Sequence, residues 1–185
     1  MKPHDHELSH LKRCLRREVM VSDKPFSWLK TLHKAFKCPE RRFYFWWRIA
    51  NYLHRSGTAK KTAIRISRSL RNKYCLDIKL GSEIGEGLRI AHYVGIVITG
   101  HCVIGNNLYI RQNVTIGVKQ NDQAGKIYIG DNVEIGANCC IIGDDLHIGD
   151  NVTIGAMSFI NKDIPANHTV YTPKSENIMR VKKSA

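Results

Sequence analysis

A small α-helical domain followed by a left-handed parallel β-helix is the mainly β fold class that the sequence predicts. This prediction rests on two periodicities and on a change in net charge along the chain. Apolar residues in the first part recur at three- and four-residue steps, whereas those after Asp77 recur every six residues. All the excess positive charge lies in the first part: residues 1–75 hold 19 Lys and Arg against 5 Asp and Glu, while the whole chain has a net charge of +13.

The helical part is predicted to span residues 1–72. Leu8, Leu11, Leu15 and Val19 fall on one face of a helix, and this stretch contains no glycine before Gly57. A second apolar stripe includes the aromatic residues near position 45. We therefore expect three or four amphipathic helices, the aromatic one ending at Gly57.

The repeat is predicted to span residues 73–170, with residues 171–185 as a C-terminal tail. Periods this short and regular indicate a solenoid in which each coil buries the inner face of its neighbour. Seven of the repeated isoleucines are followed directly by glycine, often with Asp or Asn next. Because glycine and asparagine tolerate positive φ, each hexad should supply a short strand and a tight corner. The repeated isoleucines are Ile78, Ile84, Ile90, Ile98, Ile104, Ile110, Ile116, Ile129, Ile135, Ile141, Ile148, Ile154 and Ile160.

Composition narrows the possible functions. No apolar run reaches the roughly 18 residues of a membrane span, and residues 1–20 have no apolar core of a signal peptide, so a cytoplasmic location is expected. The six cysteines are scattered without metal-ligand spacing, so we expect reduced thiols, no metal and no disulfide framework. Net charge alone supports nucleic-acid binding, and no base-reading motif is visible.

One segment carries a family resemblance. Asp77 precedes His92 by 15 residues, and the step from Ile90 to Ile98 is eight residues where six is the rule. With the Ile-Gly-x-x-Val-x repeats, this segment resembles the serine acetyltransferase family of hexapeptide-repeat acyltransferases over residues 76–170. The resemblance implies acetyl-CoA as the donor substrate and a homotrimer with its sites between adjacent β-helices.

Two departures from that family concern the acceptor. The residue before the catalytic histidine is Ala91, where serine acetyltransferases have an aspartate, and the loop of residues 118–126 lacks their Arg-His pair. In these features the chain looks more like capsule and exopolysaccharide O-acetyltransferases of the colanic-acid type. We therefore predict acetyl transfer to a saccharide hydroxyl, with serine O-acetylation for cysteine biosynthesis as the alternative and a non-catalytic scaffold as the alternative of another class.

His92 and Asp77 are the predicted catalytic residues. Transfer from a thioester to an alcohol needs a base for the hydroxyl proton, and neutral imidazole suits that task. The resemblance implies that the Asp77 carboxylate orients the ring, as the aspartate of a Ser-His-Asp triad orients its histidine. A covalent route through Cys102 or Cys75 is the less favoured alternative.

The remaining site predictions concern the two substrates. Small residues at matching corners could leave room for the pantetheine arm of CoA, and a lysine past the last repeat could meet its phosphates. The predicted CoA-binding residues are Gly117, Ala137, Ala156 and Lys162. The predicted acceptor-binding residues are Arg111, Gln112 and Lys126.

The basic aromatic segment, residues 41–73, has two interpretations. Its aromatics can form the core of the helical domain, or they can contact anionic lipid at the inner face of the membrane or an acidic polysaccharide. The helical spacing of Phe45, Ile49 and Leu53 favours the core.

Overall fold

The computed structural model describes residues 3–119 and 125–173. Its first part contains four α-helices: α1 (Pro3–Leu15), α2 (Trp28–Lys37), α3 (Pro39–Arg55) and α4 (Lys60–Tyr74). A π-helical segment, Arg16–Met20, continues α1. The predicted boundary at residue 72 therefore falls two residues before α4 ends, and the tail beyond residue 173 lies outside the described residues.

The second part is a left-handed parallel β-helix, as predicted. Within the described residues it has fourteen short strands in three parallel sheets. Every third strand stacks on the same sheet, except that the last strand joins the sheet of the strand two before it. We call these sheets faces A, B and C, and the corners between them the A–B, B–C and C–A edges. Face A contains β1 (Asp77–Ile78), β4 (Val97–Ile98), β7 (Thr115–Gly117), β10 (Cys140–Ile142) and β13 (Phe159–Ile160). Face B contains β2 (Glu83–Ile84), β5 (Cys102–Ile104), β8 (Ile127–Ile129) and β11 (His147–Ile148). Face C contains β3 (Arg89–Ile90), β6 (Tyr109–Ile110), β9 (Glu134–Ile135), β12 (Thr153–Ile154) and β14 (Thr169–Val170).

The repeated isoleucines stack in columns inside the prism. On face A, Ile78 pairs with Ile98, and Ile98 pairs with Ile116. These side chains are buried, whereas their strand neighbours point outward. The period of six therefore records one inward side chain per strand and three strands per coil.

Glycine and asparagine have different tasks at the corners. None of the seven glycines after isoleucine has positive φ; the left-handed corner positions are held mostly by asparagine. The glycines are needed because successive coils approach closely: a Cβ on Gly105 would lie 2.8 Å from the carbonyl carbon of Gly130. The asparagines add a ladder of side-chain hydrogen bonds, such as Asn107 to Asn132 at 2.8 Å. Close packing, rather than backbone conformation, thus explains the Ile-Gly pairs.

The helical domain closes the open end of the first coil. Trp47 Nε1 donates to Ile78 O at 3.2 Å, and Asn51 Nδ2 donates to Ser82 O at 3.0 Å. Both donors lie on α3. A solenoid end otherwise exposes unpaired backbone groups and apolar side chains, so α3 acts as its cap.

A buried ion pair fixes this cap. The Arg48 guanidinium donates to both carboxylate oxygens of Glu18, at 2.8 and 2.6 Å, and also to the carbonyls of Ile84 and Gly85. Glu18 Oε1 accepts in turn from the amides of Gly87 and Leu88, not only from Arg48. Beside Glu18, the pKa of Arg48 lies above its ordinary value despite burial, so the pair stays ionised.

The aromatic segment lies in the core. Phe43, Phe45 and Trp47 are all buried, and they contribute to two apolar clusters beneath α3. The interpretation as core is confirmed, and these rings are not available to a lipid surface. In the described part of the chain, no helix is both long and apolar enough to cross a bilayer.

Candidate active site

His92 lies on a two-residue insertion at the C–A edge. The next corner along the helix has three residues between its buried positions, Arg111 to Asn113, whereas this one has five. The amide of Ala91 donates to Ile110 O, and Asn113 N donates to the carbonyl of Val94. These bonds align residues 91, 94 and 95 with residues 111, 112 and 113, so His92 and Tyr93 are the two extra residues. The eight-residue step in the sequence is therefore an outward bulge.

Tyr93 anchors this bulge to the helical domain. Its hydroxyl donates to Glu40 O at 2.8 Å, at the beginning of α3. Its ring packs against Phe43, Tyr44 and Tyr74, with centroid distances of 5.1 to 6.4 Å. Burial raises the pKa of Tyr93 well above the ordinary range, so its hydroxyl remains a donor. Because Tyr93 is fixed against the helical domain, His92 is left facing the solvent.

The imidazole of His92 is exposed to solvent. Within the described residues, it makes no hydrogen bond or ion pair. A structural histidine normally has a partner for at least one ring nitrogen. The ring can therefore accept a proton from a bound molecule without first breaking a contact.

Asp77 lies close by on face A, but its carboxylate faces other partners. It pairs with Lys79 at 2.8 Å and with Arg71 of α4 at 3.5 Å, and it has no hydrogen bond to His92. Val97, five residues after His92, stacks directly on Asp77. The structure thus brings the two predicted catalytic residues to the same part of the prism without joining them.

Four more predicted residues share the C–A edge with His92. Gln112, Ala137 and Ala156 stack at the same corner in successive coils, as the bonds from Asn138 N to Gln112 O and from Met157 N to Ala137 O show. With about 4.8 Å between coils, this column runs roughly 14 Å along the axis from the level of His92. The fourth, Arg111, stacks on Ala91 in the neighbouring coil.

The Gln112 side chain has an unusual atom. Its Oε1 is buried and, in the part of the chain that the structure describes, has no hydrogen-bond partner. A buried acceptor without a donor is costly, so such atoms commonly mark a place for a ligand or a partner.

Three predicted residues lie elsewhere. Gly117 ends β7 and pairs with Ile142, which places it at the A–B edge. Lys126 precedes β8 at that edge, where its amine contacts Glu83 at 3.4 Å, and Lys162 follows β13 there. The prediction that Gly117 stands at a corner matching Ala137 and Ala156 was therefore wrong. The reason is the loop after Gly117, whose extra length hides the change of corner; residues 120–124 lie outside the described residues.

The two cysteines of the covalent alternative differ in access. Cys102 is buried, its thiol donates to Thr99 O at 3.1 Å, and burial raises its pKa to about 12. A thiol with so high a pKa yields almost no thiolate at neutral pH. Cys75 is exposed at the left-handed end of α4. The geometry disfavours a nucleophile at Cys102.

Comparisons with known proteins agree with this fold. Serine acetyltransferase 1 of Arabidopsis thaliana is 37% identical over 70 residues, which are 38% of this chain and 22% of that protein. Serine acetyltransferase of Buchnera aphidicola is 30% identical over 109 residues, 58% of this chain and 36% of that protein. The structure of Entamoeba histolytica serine acetyltransferase 1 in complex with L-cysteine superposes with a TM-score of 0.71 at 26% identity, over 91% of this chain and 66% of that one. No protein-family model matches the chain.

The chain is similar to serine acetyltransferases. The aligned parts span about a fifth and a third of the two curated relatives. These names mention no saccharide, so the comparisons do not support the prediction of polysaccharide biosynthesis.

Sequence reasoning missed several residues near the site. Tyr93 stands beside His92 in the insertion, so its position in the eight-residue step was a usable signal. The buried pair of Glu18 and Arg48 joins residues 30 apart on two elements, and no local pattern could reveal it. The same is true of Arg17 against Asn107.

Proposed function

We propose that the chain is an acetyl-CoA-dependent O-acetyltransferase with His92 as its general base. The observation that carries the proposal is the exposed, uncommitted imidazole on a bulge that Tyr93 fixes in place. The imidazole takes the proton of an acceptor hydroxyl while the hydroxyl oxygen attacks the thioester carbonyl carbon. Collapse of the tetrahedral intermediate breaks the carbon–sulfur bond, and the CoA thiolate leaves with the proton from the imidazolium.

The C–A edge supplies the features that acetyl-CoA needs. Ala137 and Ala156 present small side chains beside backbone, so an extended thioester arm can lie along the column from the level of His92. The unpaired Gln112 Oε1 can accept a hydrogen bond from an amide of that arm. Asp77 keeps its predicted role as the carboxylate that orients the ring, for which it must exchange its contacts with Arg71 and Lys79 for one with His92.

The division of the predicted site residues between two edges supports the proposal of a homotrimer. Gly117, Lys126 and Lys162 cannot meet the C–A edge of their own prism, but those of a second copy can. Apolar side chains that could cover such an interface are exposed around face A and the C–A edge: Val94, Val97, Met157 and Phe159. A three-fold arrangement closes such a heterologous contact. Light scattering in solution should give three times the mass of the chain.

Serine is the first candidate acceptor, on the strength of the comparisons. A saccharide hydroxyl is the second candidate, and Ala91 is the observation that favours it. Beside His92, Ala91 has no group that could pair with the ammonium of an amino acid, whereas a neutral hydroxyl needs no such partner.

The decisive experiment measures thiol release from acetyl-CoA with L-serine and with a panel of sugars. We expect His92→Ala to lower turnover by about 10²- to 10⁴-fold, the usual contribution of a general base. His33→Ala, which changes an exposed histidine on α2, is the matched control. Unchanged turnover in a folded His92→Ala variant would refute the proposal, and failure to bind CoA would favour the scaffold alternative.

A further inference from the structure

A groove of about 550 Å³ lies between the π-helical segment and the outside of face C. Its walls include Arg17 and Val21 on one side and Arg89, Tyr109 and Glu134 on the other. Pockets for small molecules commonly have volumes of 300 to 1,000 Å³. The groove is therefore large enough for a monosaccharide or a disaccharide.

The groove carries a net positive charge. Arg17 Nη2 donates to Asn107 Oδ1 at 2.8 Å, and the guanidinium of Arg89 stands 4.6 Å from the ring centroid of Tyr109. In residues 3–119 and 125–173, neither arginine has a carboxylate partner, nor has Arg111, which contacts the same ring at 5.6 Å. Two carboxylates also border the groove: Arg48 neutralises Glu18, so the two arginines face the remaining carboxylate of Glu134.

Two rare backbone features border the same groove. The segment Arg16–Met20 is π-helical, and such turns occur frequently at functional sites. It ends at Val21 with φ of 48°, which is strained for a β-branched residue. A backbone this costly persists when the surrounding structure holds it, and here it presents Arg17 to the groove.

The groove lies on the face whose first strand precedes the candidate base. Arg89 lies on β3, three residues before His92, and Arg111 stacks on Ala91 at the C–A edge. A molecule held by the arginines across face C can therefore extend a hydroxyl towards the imidazole.

We propose that this groove binds a carboxylate of the acceptor, held by Arg17 and Arg89. That the bound molecule is the acceptor rests on the proposed function, whereas the binding site itself rests on the geometry of the groove. Guanidinium groups recognise carboxylates by charge-assisted hydrogen bonds, which neutral hydroxyls cannot match. The groove's size favours an acidic saccharide of the uronic acid type. An amino acid such as serine carries the same group, and the experiment separates these two sources.

Binding is measured first, by calorimetry on the full chain with His92→Ala, so that turnover plays no part. D-glucuronate is compared with D-glucose, and L-serine with L-serinamide, because each pair differs in the negative charge. We expect D-glucuronate to bind at least tenfold more tightly than D-glucose. Arg89→Gln and Arg17→Gln should each weaken the binding of D-glucuronate about tenfold. Arg65→Gln on α4 is the control for the loss of one positive charge.

Kinetics with the wild-type base provide the second readout. Arg89→Gln should raise KM for the charged acceptor about tenfold with a change in kcat below about twofold, and Arg89→Lys should recover part of the loss. Equal affinity for charged and neutral probes, or affinities indifferent to both arginine variants, would overturn the inference. If acetyl transfer fails with every acceptor while arginine-dependent binding persists, only the proposed function falls. An arginine effect confined to L-serine identifies the amino acid as the source of the carboxylate.

Discussion

The helical domain and the β-helix hold their structures by different means. In the β-helix, each coil repeats the same contacts: a buried isoleucine column, a backbone ladder between coils and a close approach at glycine. In the helical domain, α3 contacts the first coil through single, unlike bonds from Trp47, Arg48 and Asn51. When one coil of the β-helix loses a contact, the neighbouring coils still make equivalent contacts. The contacts between α3 and the first coil differ from one another, so none of them replaces another. The predictions below test this difference.

The largest effect is expected from Arg48→Ala. It leaves the Glu18 carboxylate buried without a cation and removes donors from two carbonyls of the first coil. Breaking a buried pair by removing one partner typically costs about 3 to 5 kcal/mol. Urea unfolding should show this loss, and Arg65→Ala on an exposed face of α4 is the control. A loss below about 1 kcal/mol would mean that the cap does not depend on this pair.

A smaller effect is expected from Gly105→Ala in the second coil. The new methyl would lie 2.8 Å from the carbonyl of Gly130, and backbone cannot move aside cheaply. Overpacking of this kind costs about 1 to 3 kcal/mol. Gly117→Ala is the matched control, because its nearest contact is the flexible end of Ile142 at 3.2 Å. Equal stability losses in the two variants would contradict the close-approach role.

The smallest effect is a pH dependence at the joint between the two regions. His10 contacts Ile84 O at 3.2 Å, and burial, helped by the charge of Arg48, lowers the pKa of His10 below its ordinary value. Below about pH 6.5, His10 takes up a proton more readily in the unfolded chain than in the folded chain. The free energy of unfolding is therefore highest above about pH 6.5 and decreases as the pH falls below it. Unfolding free energies measured from pH 8 to 5 should show this slope, and His10→Gln should flatten it. An unchanged slope would assign it to other groups.

The two edges of the prism show how far the sequence could lead to the site. The bulge that holds His92 was predictable because the insertion breaks a strict period, and the break itself marks a corner that differs from the others. Gly117 was misplaced because one-dimensional spacing does not say at which corner a repeat resumes after a long loop. Arg17 and Arg89, 72 positions apart in the chain, share a groove only because the π-helical segment packs on face C, and no local pattern encodes that contact.

The sequence by itself determined the solenoid, the small helical domain and the position of the bulge. The first two rest on repeated local preferences, isoleucine every sixth residue and apolar residues at helical spacing, and the third rests on a break in the period of six. The tertiary structure alone decided that Glu18 and Arg48 fix the cap, that Asp77 pairs with Arg71 and Lys79, and that Arg17 and Arg89 line one groove. These are single contacts between distant elements, so they follow from packing geometry and leave no periodic trace in the chain.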